Sequence, residues 1–172
     1  FRKAEQKYPP KTPKDVHFFY NSWGNVYSSQ GKSAEALKCF LKCQKATNAM
    51  ESPFMSSVVN SNLGQTYMEL NELDSAQKYL SLASAFFLAK PDMNSDVQFF
   101  VDGLNASLAL KQDNLAKATK ILSKPYVLDH MPPNYLYLHH KGLADLYERK
   151  GDYAKALEYQ KLTNQYIPRL SN

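Results

Sequence analysis

A pattern of small and large residues recurs four times along this chain. In the first copy, Gly24 is followed by Tyr27, Gly31, Ala36 and Phe40. The small residues that open the four copies are Gly24, Gly64, Ala106 and Ala144. They lie 40, 42 and 38 residues apart. A repeat of this length is typical of a solenoid, in which similar units of two or three secondary-structure elements stack on one another.

Each copy has the features of two antiparallel helices. The first small residue lets the first helix approach the second closely, and Gly31 can adopt the left-handed conformation that ends a helix. One hairpin cannot bury both of its faces, so neighbouring hairpins must stack. Pro125 is expected to end the second helix of the third copy early. We predict a single domain over residues 1–172, part of a longer protein, with residues 1–10 as the tail of a preceding repeat and hairpins at 14–50, 53–90, 94–125 and 133–168.

These copies resemble the tetratricopeptide repeat, whose pattern begins W-x₂-L-G-x₂-Y. The matching residues are Tyr20, Trp23, Gly24, Tyr27, Ala36, Phe40 and Cys43 in the first copy, Leu63, Gly64, Tyr67, Ala76 and Ala83 in the second, and Leu143, Ala144, Tyr147, Ala156 and Pro168 in the fourth. The third copy lacks the tyrosine and departs most. The resemblance implies an all-α fold, a right-handed superhelix of stacked antiparallel helix hairpins, with about eight main helices and a leading helix remnant.

Composition and motifs argue against several functional classes. The net charge is only +5 and the lysines are scattered, whereas a nucleic-acid-binding protein gathers them in a stripe. No apolar run is long enough to insert into a membrane. Cys39 and Cys43 share a helix face and are predicted to be buried free thiols. Asp129–His130 and His139–His140 do not form a catalytic or metal-binding pattern. We therefore predict no catalytic residue, no metal site, no cofactor and no enzymatic activity.

The resemblance also implies a binding surface, because the first helix of each repeat lines the inner, concave face of such a superhelix. Amide side chains there both donate and accept hydrogen bonds, which suits the main chain of an extended peptide. The alternative is that these side chains are only solvated helix faces. The candidate peptide-binding residues are Asn21, Asn25, Ser28, Ser61, Asn62, Gln65, Glu69, Lys111, Asp145 and Arg149.

One known binding mode of the family is not expected here. Asn25 and Asn62 coincide with two asparagines of the carboxylate clamp that holds chaperone C-termini. However, Asn21, Phe100 and Leu104 stand where that clamp has basic residues. Without those charges a terminal carboxylate lacks its strong partners.

The resemblance implies a non-enzymatic module that binds a protein or an extended peptide. The long repeats and the ending "KGDYAKALEYQKL" are similar to the sensor segments of bacterial membrane-anchored regulators. That similarity implies the sensory or scaffolding part of a larger regulator, located in the periplasm. The alternative is a soluble assembly scaffold or a cytosolic peptide-sensing transcriptional regulator domain, located in the cytoplasm.

Overall fold

The computed structural model describes residues 1–91 and 95–167. Over these residues the regular secondary structure is entirely helical, and the predicted all-α fold is confirmed. The nine helices are α1 (Arg2–Lys7), α2 (Pro13–Ser29), α3 (Ser33–Ala49), α4 (Pro53–Glu69), α5 (Leu73–Ala89), α6 (Ser95–Lys111), α7 (Leu115–Leu122), α8 (Pro133–Arg149) and α9 (Tyr153–Asn164). None of these helices is long and apolar enough to cross a membrane. Pro168, which we aligned with the last proline of the repeat pattern, and Asn94, where the third hairpin was expected to begin, lie outside the described residues.

The helices group into two compact units, which we call unit 1 (Phe1–Ala89) and unit 2 (from Lys90 onward). In unit 1, α2 packs against α3 and α4 packs against α5, and α3 also contacts α4. In unit 2, α6 packs against α7 and α8 against α9, and α6 also contacts α8. The early end of α7 at Leu122 confirms the effect predicted for Pro125.

All four hairpins close with the same turn. The residue seven positions after the opening small residue has a positive φ of 58° to 78° in every copy. The next N–H then donates to the carbonyl oxygen five residues earlier, over 2.8–2.9 Å. This pattern satisfies carbonyl groups that a helix end leaves unpaired. The turn residues are Gly31, Asn71, Asp113 and Gly151.

The opening small residues allow close helix packing. A Cβ atom at Gly24 would lie 2.5 Å from the ring of Phe40, and one at Gly64 would lie 2.6 Å from Leu80. Both large residues are buried in unit 1, so each glycine leaves room for the side chain that comes sixteen positions later. The first and second copies therefore pack in the same register.

Phe1, the residue before the short helix α1, packs on α2 through its aromatic ring. The ring of Phe1 lies 5.3 Å from that of Trp23, edge to face, and 5.9 Å from that of Phe19. The Tyr20 hydroxyl donates a hydrogen bond to Glu5 of α1. Burial and this carboxylate together raise the pKa of Tyr20 to about 12. Tyr20 is thus a core residue that anchors α1.

Candidate peptide-binding surface

Four of the amide side chains on α2 and α4 of unit 1 form what we call the amide stripe: Asn21, Asn25, Asn62 and Gln65. Asn62 Nδ2 donates a hydrogen bond to Asn21 Oδ1 over 3.0 Å, which joins two helices that belong to different hairpins. Both residues are half-buried. Each amide has two N–H donors and a carbonyl with two lone pairs, so one shared bond leaves most of their capacity available.

The other two members lie next to this pair. Asn25 is one turn beyond Asn21 on α2 and is exposed, and Gln65 is one turn beyond Asn62 on α4 and is half-buried. Residues three or four apart share a helix face. Ser28, a further turn along α2, is half-buried. Each of the two helices therefore presents one amide that takes part in the Asn21–Asn62 hydrogen bond and a second amide one turn further along.

Two predicted residues of unit 1 have other roles. Ser61 is only 1% exposed, and its hydroxyl donates to the Ser57 carbonyl oxygen over 2.7 Å, so it offers no surface to a ligand. Glu69 accepts a hydrogen bond from the Ser33 hydroxyl over 2.9 Å, which ties the end of α4 to the start of α3. Partial burial raises the pKa of Glu69, and the hydrogen bond from Ser33 acts in the opposite direction.

The three predicted residues of unit 2 lie near the C-terminal ends of two helices, Lys111 on α6 and Asp145 and Arg149 on α8. Arg149 Nε donates to Asp145 over 2.8 Å, and its Nη1 donates to the Leu110 carbonyl oxygen over 2.6 Å. That carbonyl belongs to the last turn of α6, where a cation is favourable. Lys111 is exposed at the end of the same helix. Asp145 and Arg149 therefore form an ion pair that also caps a neighbouring helix.

The positions at which the carboxylate clamp would need cations hold packed side chains. Leu104 is fully buried in α6. The ring of Phe100 stacks on Tyr135 with centroids 4.5 Å apart and planes 15° from parallel. In unit 2 these two positions contribute to helix packing and supply no charge.

A cleft of about 560 Å³ opens beside the first turns of α2, and we call it the α2 cleft. Two of its aromatic residues are unusually exposed, Tyr8 at 69% and Phe18 at 51%. The lining residues are Tyr8, Pro9, Pro10, Lys11, Asp15, Phe18, Phe19, Ser22 and Trp23. The lining is drawn from both the Tyr8–Lys11 loop and helix α2, so it becomes visible only in three dimensions.

A buried polar cluster in unit 1 was not anticipated. The Thr47 hydroxyl donates to the Cys43 carbonyl oxygen over 2.8 Å, and His17 Nδ1 lies 2.7 Å from the same hydroxyl oxygen. The Cys43 thiol donates to the His17 carbonyl oxygen over 3.4 Å. The cluster pairs α2 with α3 across 26 to 30 residues of sequence, and no local motif reveals it.

The two cysteines are buried free thiols, as predicted. Burial raises the pKa of Cys39, and it raises the pKa of Cys43 to about 11. Because the thiolate is the reactive form of cysteine, both side chains are held in their unreactive state at neutral pH. Burial also lowers the pKa of His17, so the imidazole beside Cys43 is neutral.

Comparisons with known proteins agree with the repeat pattern. The tetratricopeptide repeat model matches residues 19–49, 59–84 and 142–162, which include the first, second and fourth copies but not the third. The crystal structure of BtubC (BKLC) from P. vanneervenii is similar in fold, with a TM-score of 0.70 and 16% sequence identity over 99% of this chain and 72% of that chain. No curated protein sequence matches this chain significantly. The helix hairpins in residues 19–49, 59–84 and 142–162 are therefore similar to tetratricopeptide repeats in both sequence and fold.

Proposed function

We propose that unit 1 binds the main chain of an extended peptide along the amide stripe. Tetratricopeptide repeats are protein-interaction modules, and this is the general role of the chain. The observation that carries the more specific proposal is the hydrogen bond from Asn62 to Asn21. It fixes the orientation of two amide side chains on adjacent hairpins. These side chains therefore lose less conformational entropy when a ligand binds.

The chemistry of the stripe suits a peptide unit. Asn62 keeps its carbonyl oxygen and one N–H, and Asn21 keeps both of its N–H groups, so the pair can accept from a peptide N–H and donate to a peptide C=O. Asn25 and Gln65 add the same capacity one turn further along each helix. None of the four side chains is charged. The stripe therefore favours the interior of a chain over a terminal carboxylate.

The proposal is tested by removing one amide. Asn62→Ala takes away the donor to Asn21 and an acceptor for the ligand, and the lost or unpaired hydrogen bonds cost about 1–3 kcal/mol of binding free energy. Peptides selected on an array with the wild-type protein should bind this variant about tenfold more weakly in fluorescence anisotropy titrations. Binding of neutral peptides should change little with salt, because the stripe has no charge.

Asn48→Ala is the matched control. Asn48 is an exposed asparagine on α3 of the same unit, away from the stripe. This variant should bind every selected peptide as the wild type does. Equal binding by the wild type and Asn62→Ala would mean that the stripe is only a solvated helix surface.

We further propose that this module is the sensory or scaffolding part of a larger bacterial regulator, which rests on the resemblance of the repeats to sensor segments. A soluble assembly scaffold or a cytosolic peptide-sensing regulator is the alternative. Fractionation of cells producing the full-length protein separates them: recovery with membranes supports a membrane-anchored regulator, and recovery in the soluble cytoplasmic fraction supports the alternative.

A further inference from the structure

We propose that the α2 cleft binds a proline-rich segment flanked by acidic residues, as a continuation of the peptide site on the amide stripe. The inference rests on the proposed function, since it places the side chains of the same ligand. It concerns residues of unit 1 alone, between the Tyr8–Lys11 loop and the first turns of α2.

The lining of the cleft supplies the surface that a polyproline II helix needs. Such helices dock in aromatic-lined grooves, where the flat faces of proline rings contact aromatic side chains. Tyr8, Phe18, Phe19 and Trp23 bring four rings to this cleft. The volume of about 560 Å³ lies within the range of ordinary ligand sites. Tyr8 and Phe18 remain largely exposed in the protein, so a ligand would remove apolar surface from water.

The polar groups of the lining are mainly donors. Tyr8, Lys11, Ser22 and Trp23 each carry an O–H or N–H group. The carboxylate of the remaining polar residue, Asp15, already accepts a hydrogen bond from the Thr12 N–H over 3.2 Å. Proline has no N–H, and the carbonyl groups of a polyproline II segment make no internal hydrogen bonds. A proline-rich segment therefore presents acceptors to a surface that offers donors.

The charge around the cleft selects the flanking residues of the ligand. Five exposed cations come from the first fourteen residues: Arg2, Lys3, Lys7, Lys11 and Lys14. Lys11 lines the cleft, and the Lys7 ammonium lies 5.4 Å from the centre of the Tyr8 ring. The two carboxylates in the same region, Glu5 and Asp15, already have hydrogen-bond partners in unit 1. Acidic residues on either side of the prolines would meet this positive field.

The cleft and the amide stripe are continuous along α2. Lys14, Phe18, Asn21 and Asn25 occur at intervals of four, three and four residues, so they lie on one face of the helix. From Phe18 to Asn25 the helix rises about 10 Å, which a polyproline II chain covers in about three residues. A ligand with prolines in the cleft would therefore have its next residues beside the amides.

The test uses a fluorescein-labelled peptide with a central run of four prolines and two aspartates at each end, and a second peptide in which alanine replaces each proline. Fluorescence anisotropy should show the proline peptide binding the full chain at least about tenfold more tightly than the alanine peptide.

Phe18→Ser should weaken the binding of the proline peptide by a similar factor. Phe18 is half exposed, so this change leaves the core intact. Leu88→Ser is the matched control, because Leu88 is an 84% exposed apolar residue of α5 in the same unit, and it should bind as the wild type does.

Several results would overturn the inference. One is equal binding of the proline peptide by Phe18→Ser and the wild type, and another is equal binding of the proline and alanine peptides. A third is self-association in sedimentation velocity that Phe18→Ser abolishes, which would assign the cleft to a second copy of the chain. If array peptides without proline bind through Asn62 while the proline peptide does not bind, only this inference fails. If no peptide binds, the proposed function fails with it.

Discussion

At the scale of single residues, the fold depends on where glycine leaves room for a side chain of a neighbouring helix. Gly24 is buried in α2, and the ring of Phe40 occupies the space that a Cβ would need. Gly142 is also buried in a helix, but the nearest side-chain atom, from Leu122, is 3.4 Å from its Cβ position, an ordinary contact. Of these two helical glycines, helix packing therefore requires glycine at position 24 but not at position 142.

Alanine at each position should have opposite effects. Gly24→Ala should lower the free energy of unfolding by about 1–3 kcal/mol, because the fully packed Phe40 must move. Gly142→Ala should leave it unchanged or raise it by up to about 1 kcal/mol, because alanine favours the helix. Urea unfolding followed by circular dichroism measures both. A Gly24→Ala protein as stable as the wild type would contradict the packing register.

The sequence predicted these residues because the repeat pattern records local constraints. A small residue, a turn residue and a large residue at fixed offsets indicate which positions meet within one hairpin, as Gly24 and Phe40 do. The Asn21–Asn62 hydrogen bond joins residues 41 positions apart, and the His17–Thr47 hydrogen bond joins residues 30 apart. Such contacts depend on rotamers and on the exact approach of two helices. The spacing of residue types along the sequence determines neither the rotamers nor the distance between the helices.

At the scale of helices, the repeats reuse the same contacts even where the residues differ. Tyr67 and Tyr79 stack 5.4 Å apart with their planes 7° from parallel, and Tyr147 and Tyr159 stack 5.7 Å apart at 6°. These pairs occupy the same offsets in the second and fourth copies. The third copy has Ala109 at the first of these offsets and a second helix of only eight residues. Its weaker pattern explains why the repeat family model does not match it.

Helix packing in unit 2 also places a histidine where protonation is costly. His139 of α8 packs against Phe99 of α6 with ring centroids 4.9 Å apart. Burial, with a smaller contribution from neighbouring His140, lowers the pKa of His139 from 6.5 to about 4. The unfolded chain therefore binds a proton that the folded chain does not bind between these two pH values, and the stability falls as the pH falls through 6.5.

The pH dependence of stability should change in a His139→Gln protein. Between pH 7 and pH 5 the wild type should lose about 1–2 kcal/mol more unfolding free energy than the variant, because glutamine does not titrate. His130→Gln is the control, since His130 is exposed in the loop before α8, and it should keep the wild-type slope. Denaturant titrations across this pH range measure the effect. Parallel curves for the wild type and His139→Gln would show that the imidazole is charged in the folded protein.

At the scale of the whole molecule, the sequence predicted the fold class because four copies of one hairpin pattern allow few alternatives to stacked helices. It did not indicate how the contacts would be divided along the chain. Unit 1 has its own core, which includes Phe40, Cys43 and Leu63, and unit 2 has a core that includes Leu110, Leu122 and Leu146. The amide stripe, the α2 cleft and the His17 cluster all belong to unit 1. The proposed binding chemistry is therefore contained in about the first half of the chain.

A fragment of residues 1–90 should therefore fold and bind peptide without the rest of the chain. Helices α2 to α5 contribute side chains to one apolar cluster or pack against it, and Phe1 at the start of the fragment packs against the same cluster. Circular dichroism should show a mainly helical protein, and its affinity for the array-selected peptides should lie within about threefold of the full chain, since every proposed contact is retained. The complementary fragment, residues 91–172, lacks the stripe and should not bind these peptides. Peptide binding by that fragment would place the site on α6–α9. A helical 1–90 fragment that does not bind would show that the amide stripe alone is insufficient for binding.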